Sequence, residues 1–364
     1  MLNQKERAIL EELQLNPYIS QQSLSEKIGL SRSATANLIS QLVNKGYILG
    51  KAYVLNDEKT IICIGGANVD HKLVLKDDLQ LYTSNPISSV TTIGGVVRNV
   101  AENLGRLDQN VTLLSLVGND MNGKSILNYC KDFISVHEVE IIEGATTGSY
   151  SAILNNEGDL ILGIADMDIT SQMTDRWLQR HRQALASAKL LVVDTNVEQS
   201  AIQYLLDYSN DEKRDLVIIG VSAPKVKVVP PIIEGTCITI FNKDESQAYF
   251  KTTEEDTQKL VQMWLDKGVK YAIVTDGKNG VSYGTSKYIK HMEAIPINHV
   301  VDATGAGDSF CAGVIYGYTS QQSFEESVLL GQLNASQTIQ SSHSVRDDLT
   351  RLLLDTEKEQ YHAK

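Results

Sequence analysis

The 364-residue sequence predicts an α/β protein: a three-layer, doubly wound and mostly parallel sheet with a small β lid, preceded by a short all-α module that ends in a hairpin. Three observations predict it. From residue 60 onward, apolar β-branched runs of strand length alternate with helical patterns, as in a parallel sheet covered on both faces. Two segments, about 71–95 and 144–166, instead alternate apolar and polar residues and carry turn signals such as Asn156-Glu157-Gly158-Asp159, which reads as antiparallel lid strands. Charge is also divided unevenly: residues 1–56 hold six basic and four acidic side chains, a net of +2, while the whole chain stands at −12 and residues 57–364 therefore at −14. That asymmetry marks two modules, 1–56 and 59–364, with different partners.

Composition excludes several classes. With 42% hydrophobic and 21% charged residues the chain is globular. No apolar run approaches the ~18–20 residues of a membrane span. The opening MLNQKERAILEE is charged where a signal peptide is apolar, so a cytoplasmic protein with no membrane partner is expected. Cys63, Cys130, Cys237 and Cys311 lie far apart without CxxC spacing, so neither a zinc site nor a disulfide framework is indicated.

In the first module, Ala8, Ile9, Leu13 and Leu15 fall near helical spacing and Pro17 ends the run. Ser20 and Ser23 offer N-caps to a second helix that Gly29 closes, and Ser31 caps a third, SRSATANLISQLVNKG, ending at Gly46. YILGKAYVL then reads as two short strands around Gly50-Lys51. Three helices, a short turn and a hairpin make the winged helix-turn-helix pattern, and the stretch resembles the DNA-binding domains of bacterial transcription regulators. The resemblance implies that Arg32, Ser33, Thr35 and Asn37, with Ser31, face bases and phosphates, and that Lys51 sits on the wing. A plain helical appendage used for oligomer contacts is the competing reading, since +2 is a weak charge for a DNA binder.

In the second module, the strand-like runs are TIICIGG (60–66), VTLLSLVG (111–118), KLLVVDTN (189–196), DLVIIGVSA (215–223), CITIFN (237–242) and KYAIVTDG (270–277). Ligands of such sheets bind outside the carboxyl ends of the strands. Two loops there could hold phosphate. Gly118-Asn119-Asp120-Met121-Asn122-Gly123-Lys124-Ser125 matches the P-loop pattern, but Asp120 would set a carboxylate against the phosphates and the interior lacks glycine. Asp302-Ala303-Thr304-Gly305-Ala306-Gly307-Asp308 is the better site: the glycines let the chain turn into a helix whose first amides and dipole attract an anion. Asp308 would accept the proton of a substrate hydroxyl while the amides of Gly305, Ala306 and Gly307 hold the transferred phosphoryl. An ordinary capped helix start is the competing reading.

DATGAGDSF resembles the C-terminal signature of the ribokinase-like (PfkB) carbohydrate and nucleoside kinases, and further motifs of that family follow in order over about residues 60–345. Gly94-Gly95-Val96-Val97-Arg98-Asn99 is similar to its N-terminal signature, and Asn68-x-Asp70 to its diol site. Asn242-x-x-Glu245 is similar to its N-x-x-E element, and Thr275-x-Gly277-x-x-Gly280 to its nucleotide loop. Asp276, inside that loop, departs from the neutral residue usual there. The resemblance implies ATP and Mg²⁺ as cofactors, with Mg²⁺ held through water by Asn242 and Glu245, and it adds Asn334 to the nucleotide site. It also implies K⁺ or another monovalent cation near Asp302 and Thr304.

Within the family the chain resembles pseudouridine kinases, in Thr83-Ser84-Asn85-Pro86, Thr147-x-Ser149-Tyr150, Asp166-Met167-Asp168-Ile169 and Asp194-Thr195-Asn196. Phosphorylation of the 5′-hydroxyl of pseudouridine is what this implies. Asp70 and Asn99 would hold ribose hydroxyls, and Arg98, Asn196 and Asp166 would face the uracil. Against this, Arg98 could pair with an acidic neighbour and Asp166 could be a solvated turn residue. Another sugar or nucleoside substrate, or a ligand-sensing transcription regulator with a kinase-fold sensor, are the alternative functions, and a homodimer through the lid is expected.

Overall fold

The computed structural model describes residues 2–16, 18–45, 47–48, 60–297 and 299–363. The chain divides into two units, Met1–Asp57 and Glu58–Lys364. The first contains α1 (Gln4–Leu15), α2 (Gln21–Lys27) and α3 (Arg32–Asn44). Ser20 and Ser31 cap α2 and α3 through their side-chain oxygens, and Asn3 with Glu6 forms a capping box on α1. Ile9, Leu24 and Leu42 form the buried centre. The expected turn at Gly46 and wing around Gly50-Lys51 lie outside the described residues.

The second unit begins with β1 (Thr60–Ile64), β2 (Asn68–Leu75), β3 (Ile87–Gly94), α4 (Val96–Arg106), β4 (Val111–Leu114), β5 (Leu116–Gly118), α5 (Met121–Cys130), β6 (Glu140–Ile142), β7 (Ser149–Leu154) and β8 (Leu160–Asp166). It continues through α6 (Asp175–Arg180), α7 (Arg182–Ala186), β9 (Ala188–Asp194), α8 (Gln199–Glu212), β10 (Asp215–Ile219), β11 (Ile238–Asn242), α9 (Lys243–Phe250), α10 (Thr257–Leu265) and β12 (Tyr271–Thr275). Last come β13 (Val281–Thr285), β14 (Tyr288–Met292), α11 (Ala306–Thr319), α12 (Phe324–Thr338) and α13 (Arg351–His362).

The main sheet runs β14-β13-β12-β11-β10-β9-β1-β4. The pairs from β4 to β12 are parallel and the two at the β14 edge antiparallel. Alternation is hidden in the sequence because both faces are buried. Ile61, Cys63, Leu190, Val192, Val217 and Ile219 enter one core beside α4, α11 and α12. Ile62, Ile64, Leu191, Val193, Leu216 and Ile218 enter the other, with α8 and α10. All four cysteines are buried and free.

The lid is a separate sheet, β3-β2-β7-β8. Its hairpins β2–β3 and β7–β8 are antiparallel as the alternation predicted, but β2 and β7 join them in parallel. The register sets Asn68 opposite Gly94, so the root of the lid lies where β3 turns into α4.

Candidate active site

The motif residues converge at the carboxyl ends of the parallel strands. Gly305 adopts a left-handed φ of 81°, and a Cβ there would lie 2.1 Å from the Ser344 carbonyl oxygen, so only glycine fits this turn into α11. Ala306 N reaches Ala303 O at 3.3 Å, while the Gly305 and Gly307 amides meet no backbone carbonyl among the described residues. Asp308, in the first turn of α11, is half-buried, and its Oδ2 accepts from Asn99 Nδ2 at 2.6 Å. Its pKa is pushed up to about 7, chiefly by burial and further by Asp194 and Asp70, against the Asn99 hydrogen bond and Arg98. A carboxyl poised there exchanges a proton readily near neutrality.

Asn68 donates to Asp70 Oδ1 at 2.6 Å, and both sit on one face of β2. A Cβ on Gly94 would lie 2.1 Å from Asp70 Oδ2, and Gly95 takes φ 104°, so the Gly-Gly pair admits the Asp70 carboxylate and turns the chain into α4. Burial raises the Asp70 pKa against its hydrogen bond with Asn68.

Asn242 and Thr275 are register partners at the ends of β11 and β12, which sets the N-x-x-E element beside the 275–280 loop. Asn242 and Glu245 form a reciprocal capping box at the start of α9, with both bonds 2.8 Å. Glu245 is buried, which lifts its pKa to about 7. Its Oε1 meets no donor among the described residues, and no cluster of three metal-ligating side chains occurs among them. One carboxylate oxygen without a protein partner fits a divalent cation held through water.

Several expectations are corrected. Arg98 is 1% exposed and its guanidinium is spent on Glu102, Asn99 Oδ1 and the carbonyls of Ile93 and Gly94, so it orients the signature loop instead of facing a base. Asn334 is fully buried and its Nδ2 joins Asn103 Oδ1 and Ser309 O, each at 2.9 Å, which ties α4, α11 and α12 together and withdraws it from any nucleotide. Asp302 accepts from Thr304 N and Oγ1 through one oxygen and from Lys72 Nζ, at 2.9 Å, through the other. Asp302 is half-buried and Thr304 exposed, and the Lys72 ammonium stands beside the carboxylate where a monovalent cation was expected. Thr35 is fully buried inside its unit, so it cannot touch DNA, whereas Arg32, Ser33 and Asn37 are exposed on α3.

The remaining predicted residues are placed as follows. Asp166 is exposed at the end of β8, opposite Ser149. Asn196 is buried and gives its Nδ2 to Asp194, while its Oδ1 meets no donor among the described residues. The P-loop-like segment is a helix cap: Asp120 accepts from Gly123 N, Thr147 N and Thr147 Oγ1 at 2.7–2.8 Å, which fills the space a phosphate would need. Lys243 carries no signal in the sequence, and Asp194 enters there only as part of Asp194-Thr195-Asn196, without a role of its own. The one available signal was a carboxylate closing the otherwise apolar run of β9.

A three-layer α/β fold with a glycine-turned helix start, a neighbouring carboxylate and a lid defines the sugar- and nucleoside-kinase class. Residues 58–350 match the model of the pfkB family carbohydrate kinases, and the chain belongs to that family, whose members transfer phosphoryl from ATP to an alcohol group with a divalent metal. Residues 2–48 match a winged helix-turn-helix DNA-binding model. The chain is 27% identical over 328 residues to the uncharacterized sugar kinase YeiI of Escherichia coli (strain K12), covering 90% of this chain and 91% of that protein. It is 28% identical over 300 residues to the pseudouridine kinase of the same organism, covering 81% and 95%. Among solved structures, a carbohydrate kinase from Agrobacterium tumefaciens superposes with a TM-score of 0.72 at 25% identity, over 83% of this chain and 97% of that one.

Proposed function

We propose that residues 59–364 phosphorylate the 5′-hydroxyl of pseudouridine and that residues 1–56 bind DNA. The observation carrying the catalytic reading is the 2.6 Å bond from Asn99 to Asp308, which joins the loop that would hold the ribose to the carboxylate beside the Gly305–Gly307 amides. Asp308 removes the proton of the attacking hydroxyl, and those amides and the α11 dipole meet the negative charge of the phosphoryl in flight. Asn242 and Glu245 would hold Mg²⁺ through water, and the ion would supply charge neutralisation at the phosphates. Asn68, Asp70, Gly94, Gly95 and Asn99 hold the ribose, and Thr275, Gly277 and Gly280 the nucleotide.

The likeness to pseudouridine kinase supports the choice of nucleoside. Pseudouridine differs from uridine by an N1–H donor, and Asn196 Oδ1 is the acceptor assigned to it, with Asp166 on the lid beside the base. The test is a phosphorylation screen of pseudouridine, uridine, ribose and fructose phosphates with ATP and Mg²⁺. Pseudouridine should lead by about tenfold or more in kcat/KM; a lead by any other acceptor removes the specific substrate and leaves the family assignment standing.

Exposed Arg32, Ser33 and Asn37 on α3 support the DNA reading; the proposed wing contact of Lys51 lies outside the described residues. The lid supports a homodimer: Leu162 and Ile164 share one face of β8 and are 50% and 52% exposed, apolar side chains that a second lid would cover. A role in the cytoplasm is proposed with these; among the described residues no helix is long and apolar enough to cross a membrane.

A further inference from the structure

Asp194 closes β9 as a fully buried carboxylate, and among the described residues no lysine, arginine or histidine pairs with it. Instead it collects N–H donors from two loops and the first turn of α4: Gly66 N at 3.2 Å, Val97 N at 3.2 Å, Asn196 N at 2.9 Å and Asn196 Nδ2 at 3.0 Å. Each of these segments carries residues assigned to the substrate. Gly66 leads into Asn68 and Asp70, Val97 follows Gly94-Gly95 and precedes Asn99, and Asn196 follows β9 itself. The fit is close, for a Cβ on Gly65 would lie 2.1 Å from Asp194 Oδ1.

Burial pushes the Asp194 pKa up, and the bonds from Asn196, Val97 and Gly66 pull against that. All four partners donate, so a protonated carboxyl would bring a proton with no acceptor facing it, and the ionised form fits the site.

We propose that Asp194 is a positioning residue for phosphoryl transfer, a buried charge that locks the three substrate segments into one frame and sets the field around Asp308. The inference rests on the reading of Asp308 as the base. Asp308 is faced by Arg98 and Asn99 from α4, Asp70 from β2 and Asp194 from β9, with Cys311 on its own helix. Of these, Asp194 and Asp70 favour its protonated form and Arg98 and Asn99 oppose them.

The test uses the full chain with pseudouridine, ATP and Mg²⁺, and compares wild type with Asp194→Asn, Asp194→Glu and Asp308→Asn. Asp194→Asn turns an amide against N–H donors and removes the charge. Its KM for the nucleoside should rise about tenfold or more while the KM for ATP stays within about twofold, and the acidic limb of its kcat profile should move to lower pH. Asp194→Glu keeps the charge and moves it by one methylene, so it should raise the nucleoside KM and leave the limb in place. Equal rises in both KM values, or a limb that Asp194→Asn does not move, overturn the proposal. If Asp194→Asn fails to bind an ATP analogue and is therefore misfolded, a wild-type nucleoside KM in Asp194→Glu overturns it. Full activity in Asp308→Asn would instead refute the base assignment, and the KM comparison would still decide whether Asp194 frames the three segments.

Discussion

Lys243 and Asp276 meet across the ends of β11 and β12, Nζ to Oδ2 at 3.1 Å, so the carboxylate that departs from the family pattern in the 275–280 loop carries its own counter-charge. Lys243 is the first residue of α9, directly after Asn242, and also lies 3.3 Å from Glu255. Its hydrogen bonds to Asp276 and Glu255 raise its pKa, so it stays charged across the working pH range.

Lys243→Ala would leave Asp276 repelling the nucleotide phosphates. We expect the KM for ATP to rise about tenfold with little change in the nucleoside KM, and Asp276→Ala in the same chain to restore most of the loss. ATP titrations of the two single variants and the double variant check this. Additive losses would show that the pair does not act as a unit.

Asp308→Asn should lower kcat by about a thousandfold or more while ATP-analogue binding persists. In the wild type the base must be ionised, so kcat falls as pH drops below about 7. Stability runs the other way. The Asp308 pKa stands at about 7 in the folded chain against an ordinary 3.8, so the folded state holds this proton more tightly and the ligand-free protein loses stability as pH rises through that window. Asp308→Asn should therefore raise the melting temperature at pH 8, by about 2 °C or more, with a smaller effect at pH 5. Thermal melts at the two pH values check it, and an unchanged difference between them contradicts the assignment.

The P-loop-like segment yields a contrast between neighbours. Lys124 is exposed, so Lys124→Ala should leave kcat/KM within about twofold. Burial raises the Asp120 pKa, but bonds from Thr147 and Gly123 outweigh it and hold the carboxyl below its ordinary range. Asp120→Ala frees the start of α5 and the Thr147 N–H together and should cost about 2–3 kcal/mol by denaturant melts.

In the N-terminal unit, Thr35 Oγ1 is buried with no hydrogen-bond partner among the described residues. Thr35→Val should be neutral or stabilising by about 1 kcal/mol and leave DNA affinity unchanged. Arg32→Ala should weaken DNA binding about fivefold at low salt. Gel shifts on both variants separate a DNA-reading α3 from a helical appendage, which would show no difference.

The strands, the lid and the anion loop were legible because each leaves a local trace: β-branched runs, period-two alternation, and glycines where a side chain cannot fit. What sequence missed depends on what folding brings alongside. Arg98 reads as an available cation until Glu102, one turn along α4, is seen to take it, and Asn334 reads as a polar ligand until three helices close on it. Thr35 falls two residues after Ser33 on α3, and only the packing shows that the helix turns it inward. Asp276 looked disruptive because Lys243, which answers it, lies 33 residues away in sequence.

The most direct test of the central claim is the product formed from pseudouridine, ATP and Mg²⁺ by wild type and by Asp308→Asn, read by mass spectrometry and phosphorus NMR. Pseudouridine 5′-phosphate from the wild type, in amount matching the ADP formed, and almost none from Asp308→Asn is the result expected. No phosphoryl transfer to pseudouridine by the wild type, or an undiminished yield from Asp308→Asn, would contradict the account.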